Sequence, residues 1–380
     1  MGIPLVDLKA QYLSIKPEID QAIQEILNNT SFIMGPPVKN FEDNLAKFCN
    51  CKYAIGVSSG SSALFLALKA YGIKEGDEVI TVPNSFIATA EAIVQCGATP
   101  VFVDITEDTM LMDPHKIEAA ITEKTKMFIP VHLYGQICDM DQIIEVAHKH
   151  HLFILEDAAQ AIDAEYKTRK LPIHETAIFS FFPAKNLGCY GDGGAVVTND
   201  QEVASKVAKL KDHGRVSKYC SDIIGYGERL DALQAAILAV KLRHLKEWSE
   251  KRKNNANYYN QLFAGVNYLF IPSEKNYSRH VYYMYVVKVK EREKLMIKLK
   301  EKGIDTGIHY PLPLHLQPSL KYLGYKEGDF PVAEKAAKEI LSLPMYPEIS
   351  SEQIRFVVDS IKEAIIKEAM GVKETITNVH

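Results

Sequence analysis

No run in this sequence is long and apolar enough to cross a bilayer. The longest uncharged stretch, residues 53–68, carries four serines and Gly60 in its middle, whereas a span needs about 20 apolar residues. Basic charge is not in excess: 44 Lys and Arg against 48 Asp and Glu give a net charge of −4, which provides no field for a nucleic acid. The six cysteines, Cys49, Cys51, Cys96, Cys138, Cys189 and Cys220, form no CxxC pair and no Cys/His cluster with zinc spacing. Neither a disulfide framework nor a metal site is therefore expected. The opening residues Met1-Gly2-Ile3-Pro4-Leu5 show no basic segment followed by an apolar one, so no signal peptide is visible. The dinucleotide and P-loop glycine patterns are missing as well. The expectation is a cytoplasmic protein with no membrane, nucleic-acid or metal partner.

What is present is ordinary for a folded enzyme. The chain has 380 residues, 47% of them hydrophobic and 24% charged, enough for about two to three domains with a sizeable core. Residues 12–29 follow an amphipathic helical spacing, with Pro17 suited to a first turn. A second helix is expected over 39–49.

From residue 53 short apolar runs alternate with helical segments. The runs are 54–57, 78–82, 100–103, 127–131, 152–155, 177–180 and 194–198. Strands apolar on both faces and separated by helices imply a mainly parallel, seven-stranded sheet covered by helices. A long helix over 228–262, a strand over 281–289 and helices over 291–303, 331–342 and 351–369 complete the chain. The reading is a large α/β domain, residues 1–245, and a smaller C-terminal α+β domain, residues 246–380.

Ligands in such sheets bind at the carboxyl ends of the strands. After the first run comes Ser58-Ser59-Gly60-Ser61-Ser62, a small-residue turn feeding a helix whose free N–H groups suit a phosphate; a serine N-cap alone also explains it. Phe86 follows the second run, where it could lie on a planar ring or simply fill the core. Glu156-Asp157 ends the fifth run; a buried carboxylate there needs a partner, either a helix N-terminus or a protonated ring nitrogen. The sixth run leads into Phe181-Phe182-Pro183-Ala184-Lys185-Asn186-Leu187-Gly188. Most lysines are solvated surface groups, but one lowered by burial can form a Schiff base. A phosphate cradle, a flat aromatic, a strand-end Asp and a loop Lys together match what pyridoxal 5'-phosphate requires.

These residues, with Gly191-Asp192-Gly193-Gly194 and Arg229-Leu230-Asp231-Ala232-Leu233-Gln234, resemble the DegT/DnrJ-type nucleotide-sugar aminotransferases over nearly the whole chain. The resemblance implies a fold-type I, pyridoxal-phosphate-dependent aminotransferase, a homodimer with shared sites. Lys185 would be joined to the cofactor aldehyde and Asp157 paired with its pyridine nitrogen. Gln160 would face the ring hydroxyl, Gly60, Ser61 and Ser180 would hold the phosphate, and Phe86 would stack on the ring. One departure stands out. Where the family commonly has an asparagine that reaches the neighbouring subunit's phosphate, this chain has Gly227.

The segments 130–135 and 303–311 look most like enzymes that aminate C3 of a dTDP-linked 3-keto-6-deoxy sugar with L-glutamate. In that likeness His309, Tyr310 and a partner's Lys218 line the sugar pocket. Amination at C4 of a dTDP, GDP or UDP sugar and a non-catalytic regulator of the same fold are the alternatives. A sugar dehydratase of this fold would usually carry histidine in place of Lys185.

Overall fold

The computed structural model describes residues 2–369 apart from Asn267. Its centre is one twisted sheet. The strands are β1 (Tyr53–Val57), β2 (Glu78–Thr81), β3 (Thr99–Phe102), β4 (Thr125–Phe128), β5 (Phe153–Ile154), β6 (Glu156–Asp157), β7 (Thr176–Ser180) and β8 (Gly194–Thr198). Two ladders run β3-β2-β4-β5 and β6-β7-β8-β1. They are continuous, because β5 and β6 are one chain path broken only at Leu155, and the Asp157 N–H donates to the Pro130 carbonyl at 3.0 Å. The result is the expected seven-pass, mainly parallel sheet. Only β8 runs antiparallel to its neighbours.

Side-chain alternation explains why both faces are buried. Val79, Met127, Ile178 and Val196 pack under α3 (Gly60–Ala70), α4 (Ala88–Gln95) and α6 (Gln201–Leu210). Their chain neighbours Ile80, Phe128, Phe179 and Val197 face α2 (Pro36–Cys49), α5 (Met140–Lys149) and α7 (Ala232–Phe263). Each aliphatic side chain so buried contributes roughly 1.5–3 kcal/mol.

The helix expected over 12–29 begins earlier, as α1 (Leu8–Asn29), with non-helical backbone at Ile15. Pro17 lacks an N–H and interrupts the ladder, so it serves as the first turn of the second half only. Helix α7 is shared: Leu238 and Leu242 lie in the sheet core, while Ala256, Tyr259 and Phe263 enter a second cluster. Position 245 falls within this helix.

The second cluster is built on β9 (Tyr285–Lys288) antiparallel to β10 (Ile340–Leu343), with α8 (Arg292–Glu301) and α10 (Ser351–Ala369). The helix expected over 331–342 stops instead at Glu339, as α9 (Pro331–Glu339), because the next four residues pair with β9. The N-terminus joins this cluster too: Ile3 is buried in it and bridges Ile304. Among the described residues no helix is long and apolar enough to cross a membrane.

One close approach ties the sheet to the start of α3. A Cβ added at Gly194 would lie 2.3 Å from the Ser59 carbonyl oxygen and 2.8 Å from the Gly60 nitrogen. Gly194→Ala should therefore force backbone apart at a cost of about 1–3 kcal/mol, seen as a lower thermal unfolding midpoint. An unchanged midpoint would show that the approach is not constrained.

Candidate active site

The carboxyl ends of β1, β2, β6 and β7 open into one cleft of about 390 Å³. Ser59, in extended conformation, caps α3 by accepting the Ser62 N–H at 3.0 Å. That cap leaves the N–H groups of Gly60 and Ser61 pointing off the helix start with no acceptor among the described residues. The Glu228 carboxylate receives the Ser58 and Ser62 hydroxyls, holding the turn from behind. Gly60 has to be glycine here, since a Cβ would come within 2.6 Å of the Ser180 Cβ. Two backbone donors and the Ser180 hydroxyl thus converge on one small volume.

Asp157 is buried, 5% exposed. Its Oδ2 accepts the Thr89 hydroxyl at 2.8 Å, and its Oδ1 accepts the Ala159 N–H at 3.2 Å. The Ser85 hydroxyl lies 2.9 Å from that of Thr89 and extends the chain of contacts. Burial pushes the Asp157 pKa up despite these donors and the more distant Lys185 and His132. No cation forms an ion pair with it among the described residues. Beside it His132 points Nε2 at Glu156 Oε2 (3.0 Å), while its Nδ1 accepts the Cys138 N–H at 3.2 Å. The His132 Nε2–H donates to the Glu156 carboxylate.

Lys185 projects into the cleft from the loop between β7 and β8. Its N–H donates to the Phe182 carbonyl at 2.8 Å. The turn closes so tightly that a Cβ at Gly188 would lie 2.2 Å from the Pro183 oxygen. The fully buried Lys241 of α7 donates to the Gly188 carbonyl and anchors the loop's far end. Burial brings the Lys185 amine down to about 8, against the pull of Asp157. Its ammonium faces the Tyr283 ring, with Nζ 4.4 Å from the centroid.

The remaining wall is formed by His309, Tyr310, Gln160 and Phe86. His309 Nδ1 is 2.9 Å from the Ser342 hydroxyl, and burial, aided by Lys185, lowers its pKa to about 4, so the ring is neutral. The Gln160 amide donates to the Tyr310 hydroxyl at 3.2 Å and accepts the Tyr134 N–H at 2.7 Å. Phe86, half exposed at the mouth, leans on Tyr310 with ring centroids 5.6 Å apart.

Sequence reasoning placed Gly60, Ser61, Phe86, Asp157, Gln160, Ser180, Lys185, His309 and Tyr310 in one site, and all of them line this cleft. Lys218 does not; it sits at the tip of an exposed hairpin formed by Arg215–Ser217 and Cys220–Ser221. The space above Gly227 is bordered by the His213 imidazole, 3.3 Å from where a Cβ would stand. Thr89 and Tyr283 escaped the sequence because neither lies in a local motif. Among the described residues no group of three or more His, Cys, Asp or Glu is placed to hold a metal ion.

The profile of the DegT/DnrJ/EryC1/StrS aminotransferase family matches residues 13–362. The chain belongs to this family. It is 48% identical to a "pleiotropic regulatory protein" of Geobacillus stearothermophilus, over 96% of this chain and 98% of that one. It is 41% identical to the dTDP-3-amino-3,4,6-trideoxy-alpha-D-glucose transaminase of Streptomyces venezuelae, over 95% of this chain and 96% of that one. The crystal structure of S. venezuelae DesV in complex with a ketimine intermediate superposes with a TM-score of 0.94, at 41% identity, covering 95% of this chain and 98% of that one.

The protein is an aminotransferase of the fold-type I architecture, and the family depends on pyridoxal phosphate. The cleft fits that group. A buried carboxylate with no cation suits a protonated ring nitrogen, and unpaired N–H groups at a helix start suit a phosphate.

The Thr89 contact yields a direct test. A hydrogen bond donated to the charged form lowers a carboxyl pKa, so Thr89→Val should raise that of Asp157 by about one to two units. Carbon-13 titration of the aspartate-labelled, cofactor-free chain reads it. A value unmoved or lowered would remove Thr89 from the site.

Proposed function

We propose that this aminotransferase moves an amino group from L-glutamate to C3 of a dTDP-linked 3-keto-6-deoxy sugar. The observation that carries the reading is the pairing, in one cleft, of a buried uncompensated carboxylate at Asp157 with the burial-lowered amine of Lys185. The sugar class is supported by the 41% identity to the S. venezuelae dTDP-amino-sugar transaminase.

In this reading Gly60, Ser61 and Ser180 hold the phosphate of the cofactor. Asp157 keeps the proton on the ring nitrogen, Gln160 faces the ring hydroxyl, and Phe86 covers the ring. Pyridoxal phosphate, when bound, supplies the aldehyde that takes up the amino group and a protonated ring that accepts an electron pair. Lys185 tethers that aldehyde and, once displaced, acts as the base.

Because burial brings the Lys185 pKa down to about 8, a fraction of the free amine is neutral at physiological pH and can remove the α-carbon proton of glutamate. In the return half-reaction it delivers a proton to the sugar carbon. The neutral His309 and the Tyr310 hydroxyl face the sugar without adding charge. The active form in this reading is a homodimer in which Lys218 of the partner subunit completes the pocket.

Lys185→Ala should lose both turnover and the visible absorbance of tethered cofactor. Retention of both would refute the assignment. Asp157→Asn should keep the cofactor but cost about 100- to 10,000-fold in rate; near-normal activity would take Asp157 out of the mechanism. The substrate is tested by loading the amino form of the cofactor and adding dTDP- and UDP-linked 3-keto and 4-keto sugars in turn. Return of the aldehyde spectrum with the dTDP-linked 3-keto sugar is expected, and return only with a 4-keto sugar would overturn the C3 reading.

A further inference from the structure

We propose that Tyr283 is a positioning residue for the reactive lysine: its ring face is the seat on which the free Lys185 amine rests and is held as a cation. The inference rests on the role assigned to Lys185 above and goes beyond it, because Tyr283 belongs to no motif around the lysine and arrives from the C-terminal cluster.

The geometry is specific. Tyr283 is 7% exposed, and its ring centroid lies 4.4 Å from Lys185 Nζ, within the range where a desolvated ammonium gains from the negative face of an aromatic. The backbone that presents the ring is clamped on three sides. Arg252 of α7, 2% exposed, donates through Nη1 to the carbonyls of Tyr282 and Tyr283 (both 3.3 Å) and Met345 (3.0 Å). Asn186, next to the lysine, donates to the Val281 carbonyl at 3.3 Å.

Gly135 closes the third side. The Val281 N–H donates to its carbonyl at 3.0 Å, and a Cβ there would lie 3.1 Å from the nitrogens of both Tyr282 and Tyr283. The hydrogen bonds of the buried Arg252 go to carbonyls, and the Glu348 carboxylate is its nearby countercharge. The effect is to fix a ring beside Lys185.

The titratable groups facing the amine are Asp157 from β6, Asp192 from the loop before β8, His309 and Tyr310 from the wall opposite, and Tyr283 itself. Asp157 and the ring face favour the ammonium; burial opposes it. Removing the ring should therefore lower the pH at which the amine becomes neutral.

The measurement is the pH dependence of acylation of Lys185 by acetic anhydride in the full-length, cofactor-free chain, followed by peptide mass mapping. Only the neutral amine reacts, so the rate rises with pH through the lysine's pKa. The wild type should show its midpoint near 8. Tyr283→Leu should move it down by roughly half to one and a half pH units, and Tyr283→Phe should stay close to wild type. If the leucine variant does not fold, Tyr283→pentafluorophenylalanine replaces it. That ring is similar in size with its charge pattern reversed, and the midpoint should again fall relative to Tyr283→Phe. Coincident midpoints for wild type and the leucine or fluorinated variant would overturn the inference, as would equal shifts in Tyr283→Leu and Tyr283→Phe, which would assign the effect to the hydroxyl. A wild-type midpoint at the ordinary lysine value would instead contradict the burial-lowered amine on which the role of Lys185 as a base rests.

Discussion

Burial at the end of a central strand raises the pKa of a carboxylate, and hydrogen bonds and nearby cations oppose that rise. Asp157 is in that position. Thr89 and the Ala159 N–H supply donors, yet burial still pushes its pKa up. Among the described residues no cation forms an ion pair with Asp157, and both Asp157 and Phe86 line the same cleft. In the proposed reading a protonated pyridine would bring a positive charge, and Asp157 would in return keep the ring protonated.

The rest of the fold arranges other groups around this requirement. The parallel sheet brings four strand ends to one side. The glycines at 60 and 194 let the start of α3 approach the sheet closely enough for Ser180 to share the cradle. Burial moves the two key pKa values in opposite directions, up at Asp157 and down at Lys185, and so favours the neutral form of each. The same desolvation holds His309 neutral, so the wall it forms with Tyr310 offers hydrogen bonds rather than charge.

Much of this was legible in the sequence because chemistry in a parallel sheet sits at strand ends, and strand ends follow from apolar runs. Asp157, Lys185 and Gly60 could be found by looking just past Leu155, Ser180 and Val57. Long-range contacts were not legible. Thr89 reaches Asp157 from α4, 68 residues earlier in the chain, and Tyr283 reaches Lys185 from the segment just before β9. The strand at 340–343 looked helical because Ala333, Ala336, Ala337 and Ile340 keep a helical spacing; pairing with Tyr285–Lys288 decided otherwise. Pro17 fitted a first turn locally, but the helix continues on its N-terminal side through a break at Ile15.

The central claim is that the amine of Lys185 carries the cofactor. It is tested most directly by reducing the holoprotein with borohydride, digesting it and locating the pyridoxyl group by mass spectrometry. The account predicts a single modified peptide with the group on Lys185. A modification on another lysine, or none, would contradict it.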